Sequence, residues 1–283
     1  MTFCFVDRLQ VIEKGRRARG ELVVPRGVPE VPPCYLAEAI GQLAGWIAMS
    51  ATGFRRRPVA GIAREVRILG QAPPDCAVDL EAELNSLSDD AVSYGGRASL
   101  GGRTLVELGA CLGPMLAMED FDDPEEVRKR YEALAGPLAR EGASPDTAYR
   151  LDVSIGEHEV GKRICAELRV PVSAPFFADH FPRKPVLPAT LLLDAQLEIA
   201  YDLASEVLRM DARRMATESR VRDLKLRSFT PPGDILELEA KMVAAGDSQM
   251  KIILRARSPM KCISTATLEI DWKNDDGGPS SGS

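Results

Sequence analysis

The stretch Phe177-Ala-Asp-His-Phe-Pro-Arg-Lys-Pro-Val-Leu-Pro-Ala-Thr-Leu-Leu-Leu-Asp194 holds one of the chain's two histidines, His180, in a loop punctuated by Pro182, Pro185 and Pro188. It then runs straight into an apolar helical segment that carries a carboxylate. Proline fixes φ and removes a backbone donor, so the spacing predicts a loop held in one shape. A histidine beside a helix start suits proton transfer next to a polarised carbonyl. On residue types alone, a surface histidine ahead of an ordinary helix fits equally well.

Working outward, the chain proves to be written twice. Residues 15–25 align with 161–171, where Gly15, Arg17, Glu21, Leu22, Val24 and Pro25 are answered by Gly161, Arg163, Glu167, Leu168, Val170 and Pro171. Residues 29–38 align with 185–194, and residues 66–75 with 224–233. Each copy reads as a strand, a central helix and a series of alternating strands. These strands are expected at 77–84, 92–100 and 104–112, and again at 235–243, 250–256 and 263–272. The offset between copies jumps from 146 to 156 across the loop, which locates a deletion of ten residues in the first copy between Pro25 and Pro29. The first copy therefore has no counterpart of His180.

The helices differ in the opposite sense. From Cys34 to Thr52 the first helix carries one charge, Glu38, with Gln42 one turn on, so acid and amide share a face. The second helix carries Asp194, Glu198, Asp202 and Glu206 at successive i+4 steps, which reads from Glu198 onward as a solvated acidic stripe. About 19 mostly apolar residues from Cys34 to Thr52 approach the length of a membrane span, yet a carboxylate and an amide within the run argue for a buried core helix instead.

The motif His-Phe-Pro-x-x-Pro-x-x-Pro-x-x-Leu-x-x-x-Asp, together with Glu38-Ala-Ile-Gly-Gln42, resembles the signature of the 3-hydroxyacyl-[acyl-carrier-protein] dehydratases, which have the hotdog fold. The resemblance implies an α+β protein of two tandem hotdog folds, each a curved antiparallel sheet wrapped around a long central helix, paired as a pseudo-dimer. The implied organisation is an N-terminal hotdog without the His loop (1–117), a charged linker with a short exposed helix capped by Asp123 (118–147), a C-terminal hotdog with the His loop (148–273) and a disordered tail (274–283). Arg183 and Ala189 stand where the family usually has glycine.

In that family each site takes its histidine from one hotdog and its acid from the helix of the other. Carried onto this chain, the rule pairs His180 with Glu38 and Gln42 in one composite site, and leaves Asp194 as a second or vestigial acid. Ala189, Cys34, Phe181 and Pro188 are the implied oxyanion and substrate-binding positions. Arg183 and Lys184 are candidates for docking the carrier, and Arg55-Arg-Arg57 and Arg213-Arg214 are alternatives that fit solvated loop ends as well. The implied reaction is loss of water from a 3-hydroxyacyl thioester, linked to acyl carrier protein or coenzyme A, in fatty-acid or polyketide-type biosynthesis. A hotdog thioesterase and a non-catalytic acyl-binding scaffold are the alternatives.

Composition is compatible with this reading. The 283 residues are 45% hydrophobic and 28% charged with a net charge of −6, which suits one or two packed domains and disfavours nucleic acid as a partner. The six cysteines are scattered without CxxC spacing, so reduced thiols in a cytoplasmic protein are expected, with no metal and no cofactor. The N-terminus shows no signal-peptide pattern. His158, in a charged turn, is expected to be exposed. Further oligomerisation of the pseudo-dimer is left open.

Overall fold

The computed structural model describes residues 3–27, 30–136 and 149–273. The expected tail at 274–283 and residues 137–148 of the expected linker lie outside them. Strands β1 (Arg8–Glu13) and β2 (Arg17–Val24) form a hairpin. Helix α1 (Pro33–Ala51) follows, then β3 (Arg56–Pro58), β4 (Ile62–Ile68), β5 (Cys76–Leu87), β6 (Ala91–Leu100) and β7 (Arg103–Ala117). After helix α2 (Pro124–Ala135) the plan repeats as β8 (Asp152–Glu159), β9 (Arg163–Arg169), α3 (Ala189–Leu208) and a short α4 (Ala212–Met215). Strands β10 (Ala216–Leu226), β11 (Ile235–Ala245), β12 (Gln249–Ser258) and β13 (Lys261–Trp272) complete it.

The strands build one antiparallel sheet in the order β1-β2-β5-β6-β7-β4-β10-β13-β12-β11-β9-β8, with β3 set off against β7. This order is a palindrome: each half contributes the same six strands and the two meet where β4 pairs with β10. At that seam Val66 lies opposite Val221, and both are buried. Ion pairs Arg222–Glu65 and Arg67–Glu218 cross it at 2.7 and 2.8 Å.

Each half curves its sheet around its own helix, and α1 and α3 touch each other. Both helices are apolar on nearly every side and bury Leu36, Ile40, Leu43 and Ile47, and Leu192, Leu197, Ile199 and Leu203, in one continuous core. This is the α+β double hotdog. Helix α1 starts with a proline in its first turn, where a missing N–H costs nothing. It ends in a Schellman arrangement: Gly53, at φ 64°, donates to Ser50 O and Phe54 donates to Met49 O.

Three expectations need correcting. Each half opens with a hairpin rather than a single strand; β1 and β8 are the exposed sheet edges, so they lack the alternation that reveals a strand. Helix α2 does begin at an Asp123 cap, which accepts from the N–H groups of Glu125 and Glu126, but it is not simply exposed. Its Val127 is 1% accessible and packs with Met49, Phe54 and Met118, while Tyr131 meets the rings of Trp46 and Phe54. The acidic row of α3 is only partly solvated, since Glu206 accepts from Gly161 N and pairs with His158 at 2.6 Å; that histidine is exposed, as expected, but on β8 rather than in a turn.

Gly96 in β6 packs tightly against α1: a Cβ there would stand 2.6 Å from the Ile40 side chain and closer still to Glu81 O. Gly96→Ala should therefore lower unfolding stability in urea by about 1–3 kcal/mol, the usual cost of overpacking. Gly246→Ala, whose added methyl meets only ordinary contact, should change it by less than about 1 kcal/mol.

Candidate active site at the junction of the two halves

The His180 loop is fastened at both ends. His180 N donates to Phe176 O at 2.8 Å, and Leu187 N donates to Thr230 O at 2.8 Å. The first half repeats the second of these bonds as Val31 N to Ala72 O, also 2.8 Å, so the inserted segment lies wholly before a shared anchor. Within the loop, Val186 N donates to His180 O. The imidazole Nδ1 lies 3.1 Å from Val186 O. A carbonyl only accepts, so Nδ1 carries the proton and Nε2 holds the lone pair. Phe181 stacks on the imidazole at 4.0 Å, and Phe3 meets it edge-on at 5.7 Å.

Glu38, on α1, faces this loop. Its Oε1 accepts from Gln42 Nε2 at 3.0 Å, and its Oε2 accepts from Thr190 Oγ1 of the other half at 2.9 Å. Gln42 is fully engaged, for its Oε1 accepts from Phe5 N and its Nε2 also reaches Phe3 O. It therefore orients the acid and ties down the N-terminal strap. The strap is held from the other side by Asp179, which accepts from Phe3 N.

His180, Glu38, Gln42, Ala189 and Phe181 all line one cavity of about 560 Å³, within the usual range for a small-molecule site. It follows α1 past Gly41 and Gly45, where missing side chains leave room against Tyr94 and Pro58. Arg57, Asp122, Val127 and Arg130 close it on the side of α2. Leu226 to Thr230, Lys261 and Ile263 form the wall from the second half.

Apart from the cavity, both titrating groups are enclosed by protein, and desolvation dominates their charge states. Burial lowers His180 to about 4, helped by the nearby Arg57 cation and opposed by the bond to Val186. Burial likewise raises Glu38, against the opposing hydrogen bonds from Gln42 and Thr190. A neutral base and a reluctant acid thus share one space. Helix α3 starts at Ala189 with no side-chain cap, so its first N–H groups are available to an acceptor in the cavity.

Other expected residues lie elsewhere. Asp194 does not line the cavity; Arg150 holds it at 2.7 Å and reaches Glu198 at 3.7 Å. Burial raises the Asp194 carboxyl, opposed by Arg150 and helped by the neighbouring Glu198 charge. By the repeat, Asp194, Glu198 and Arg150 occupy the places of Glu38, Gln42 and Cys4. Cys34 is buried against Asp194, where burial pushes its thiol well up, and Pro188 serves only as the residue before α3. Arg183 is tied to Asp123 and to Glu119 O, and Lys184 sits over the rings of Phe121 and Phe229. Arg213 lies over the Tyr201 ring.

Thr190, Tyr94, Arg57 and the Phe3–Cys4 strap were not legible as site residues. Only Arg57 left a signal, within a basic run that reads as a solvated loop end. Among the described residues no cluster of three His, Cys, Asp or Glu side chains suits a metal ion, and no helix is long and apolar enough to cross a membrane.

Comparison with known proteins places this site in context. The family model described as ApeI-like: ApeI dehydratase matches residues 156–265, the half that carries His180 and Asp194. The 3-hydroxyacyl-[acyl-carrier-protein] dehydratase FabZ of Chlamydia pneumoniae is 32% identical over 108 residues, covering 38% of this chain and 71% of the relative. That of Polaromonas sp. is 32% identical over 110 residues, covering 38% and 76%. For the FabZ of Ruminiclostridium cellulolyticum the match, 32% over 89 residues, spans 31% of this chain and 62% of the relative, less than two thirds of its length. Among solved structures, the tesB protein of Mycobacterium avium subs paratuberculosis aligns with a TM-score of 0.60 at 14% identity, over 95% of this chain and 97% of that one. A MaoC-like dehydratase aligns at 0.53 and 12%, over 93% and 99%. These structural likenesses show the fold. The sequence relatives show the family: the chain belongs to the 3-hydroxyacyl-[acyl-carrier-protein] dehydratases.

Proposed function

We propose that the chain eliminates water from a 3-hydroxyacyl thioester to give a 2-enoyl thioester, through one composite site between hotdogs spanning 1–117 and 148–273. The carrying observation is that an imidazole from the second half and an acid from the first face one cavity, while Asp194 is neutralised outside it. In this reading the lone pair of His180 Nε2 takes the proton from C2. The N–H groups at the start of α3, beginning with Ala189, hold the thioester oxygen as enolate charge develops. Glu38, whose hold on a proton burial strengthens, gives its proton to the 3-hydroxyl, which leaves as water while the C2–C3 double bond forms. Thr190 and Gln42 hold the acid in place.

The thioester is carried on acyl carrier protein or coenzyme A, in fatty-acid or polyketide-type synthesis. Arg183 and Lys184 are engaged within the molecule. Arg227 and Lys261 are exposed on the cavity wall without an ion partner among the described residues, and they suit the phosphate of a carrier arm better.

A thioesterase reading has one observation in its favour: an acyl-CoA thioesterase II, TesB2 of Mycobacterium marinum, shares the fold over 96% of this chain with a TM-score of 0.53. Hydrolysis would make a carboxylate the key group and His180 dispensable. The test is turnover of a 3-hydroxyacyl thioester, followed by enoyl absorbance and by thiol release. Glu38→Gln and His180→Ala should each lower dehydration by about 10²–10⁴-fold, the usual worth of an acid or base, while Asp194→Asn retains most of it. The reverse ranking of the two acids, or thiol release surviving in His180→Ala, would overturn the proposal.

The charge states set the pH profile. His180 works only when neutral, so kcat/KM should keep its acid limb near 4 rather than near the ordinary histidine value of about 6.5. Glu38 works only when protonated, so activity should fall as pH rises through its raised value. Stability follows the same sign: a depressed histidine leaves the folded state with fewer protons than the unfolded chain. Its contribution is complete above about 6.5 and declines as pH falls towards 4.

A further inference from the structure

Unlike the exposed Arg227 and Lys261, Arg57 is a largely buried cation of the cavity wall with few strong partners. Its side chain is 15% accessible, yet a guanidinium offers five N–H donors. Among the described residues its one hydrogen bond goes to the sulfur of Met118 at 3.7 Å, a weak acceptor, and its nearest carboxylate, Asp122, stands 3.7 Å away. That carboxylate is already shared: it accepts from Arg130 at 3.3 Å and from Asp123 N at 2.8 Å. Two guanidinium groups therefore answer to one carboxylate. Burying a charge with so few partners is costly unless something completes them. The low accessibility holds Arg57 down at about 10, in keeping with that cost.

The position of Arg57 narrows what would complete it. Its guanidinium lies 4.3 Å over the Phe181 ring, whose other stacking partner is His180. A single aromatic ring thus separates it from the base. A phosphate at the outer end of a carrier arm is remote from the reacting carbons, whereas the acyl chain just beyond C3 is adjacent. We infer that Arg57 determines specificity by binding an anionic oxygen borne on the acyl chain a few carbons from the thioester, so that the site prefers short chains ending in carboxylate over plain hydrocarbon ones. A planar fork suits bidentate capture of a carboxylate. This rests on the proposed acyl-thioester site, and its test has a readout independent of turnover.

The direct experiment is calorimetric titration of the full chain with adipate and with hexanoate, which have six carbons each and differ by one carboxylate. Adipate should bind at least about tenfold tighter, and Arg57→Gln should bring the ratio close to one. Asp122→Asn, which removes the competing carboxylate, should tighten adipate binding; loss of binding there would mark the pair as purely structural and overturn the inference. So would hexanoate binding as tightly as adipate, or a preference that survives in Arg57→Gln. Thermal melts of both variants establish that they fold, and the Asp122 variant decides the matter if Arg57→Gln does not.

The 3-hydroxy thioesters of the same two chains on N-acetylcysteamine, which has no phosphate, identify the source of the oxygen. Preference persisting on that carrier assigns it to the acyl chain; preference seen only with coenzyme A assigns Arg57 to the phosphate and overturns the inference. Arg57-dependent binding without dehydration would sink the proposed function alone. Dehydration with equal turnover of both chains would sink only this inference.

Discussion

The pairing of β4 with β10 constrains everything else in this molecule. Because those strands join two six-stranded halves edge to edge, α1 and α3 are brought together and the start of α3 is set against the second turn of α1. Only then does a hydroxyl on Thr190 meet a carboxyl on Glu38, two residues far apart in the chain. The seam is stitched by buried valines at its centre and by ion pairs on its outer face. Pairs of that exposed kind contribute little each, so the register is set mainly by burial of the inner face.

Within that frame, desolvation accounts for the chemistry on offer. An imidazole and a carboxyl left in water would be, respectively, partly charged and fully charged at neutral pH. Enclosure by Phe3, Phe181 and the apolar face of α1 pushes both towards neutrality, which is the pairing a base and an acid need to act in one step. The opposite pseudo-equivalent place shows the alternative outcome. There Arg150 stands where Cys4 does, Glu198 where Gln42 does, and the one guanidinium holds both acids instead of leaving them to a substrate.

The repeat, the two helices, most strands and the missing loop could be read from residue order, because each rests on local pattern: periodicity, proline spacing and a shift of offset. Pairing Glu38 rather than Asp194 with His180 rests on the family's cross-pairing rule applied to that shift, and both Glu38 and His180 line the one cavity. What stayed hidden depends on long-range packing. Edge strands β1 and β8 have no buried face to alternate. Helix α2 looks solvated because its apolar contribution is concentrated in Val127 and Tyr131. Arg57 sits in a run of three arginines, and nothing in the order of residues says which of them turns inward.

A further consequence follows from having both halves on one chain. In an assembly of two identical subunits, every substitution is made twice and both pockets inherit it. Here a replacement in either half is made once, so one pocket can harden into packing while its sibling keeps its polar groups. The connection through Phe121 and α2 also packs inward. It contributes Asp122, Val127 and Arg130 to the cavity wall, and an intersubunit contact has no such bridging segment to lend. Carrying both halves on one chain thus gives the fold an additional wall with which to shape what enters.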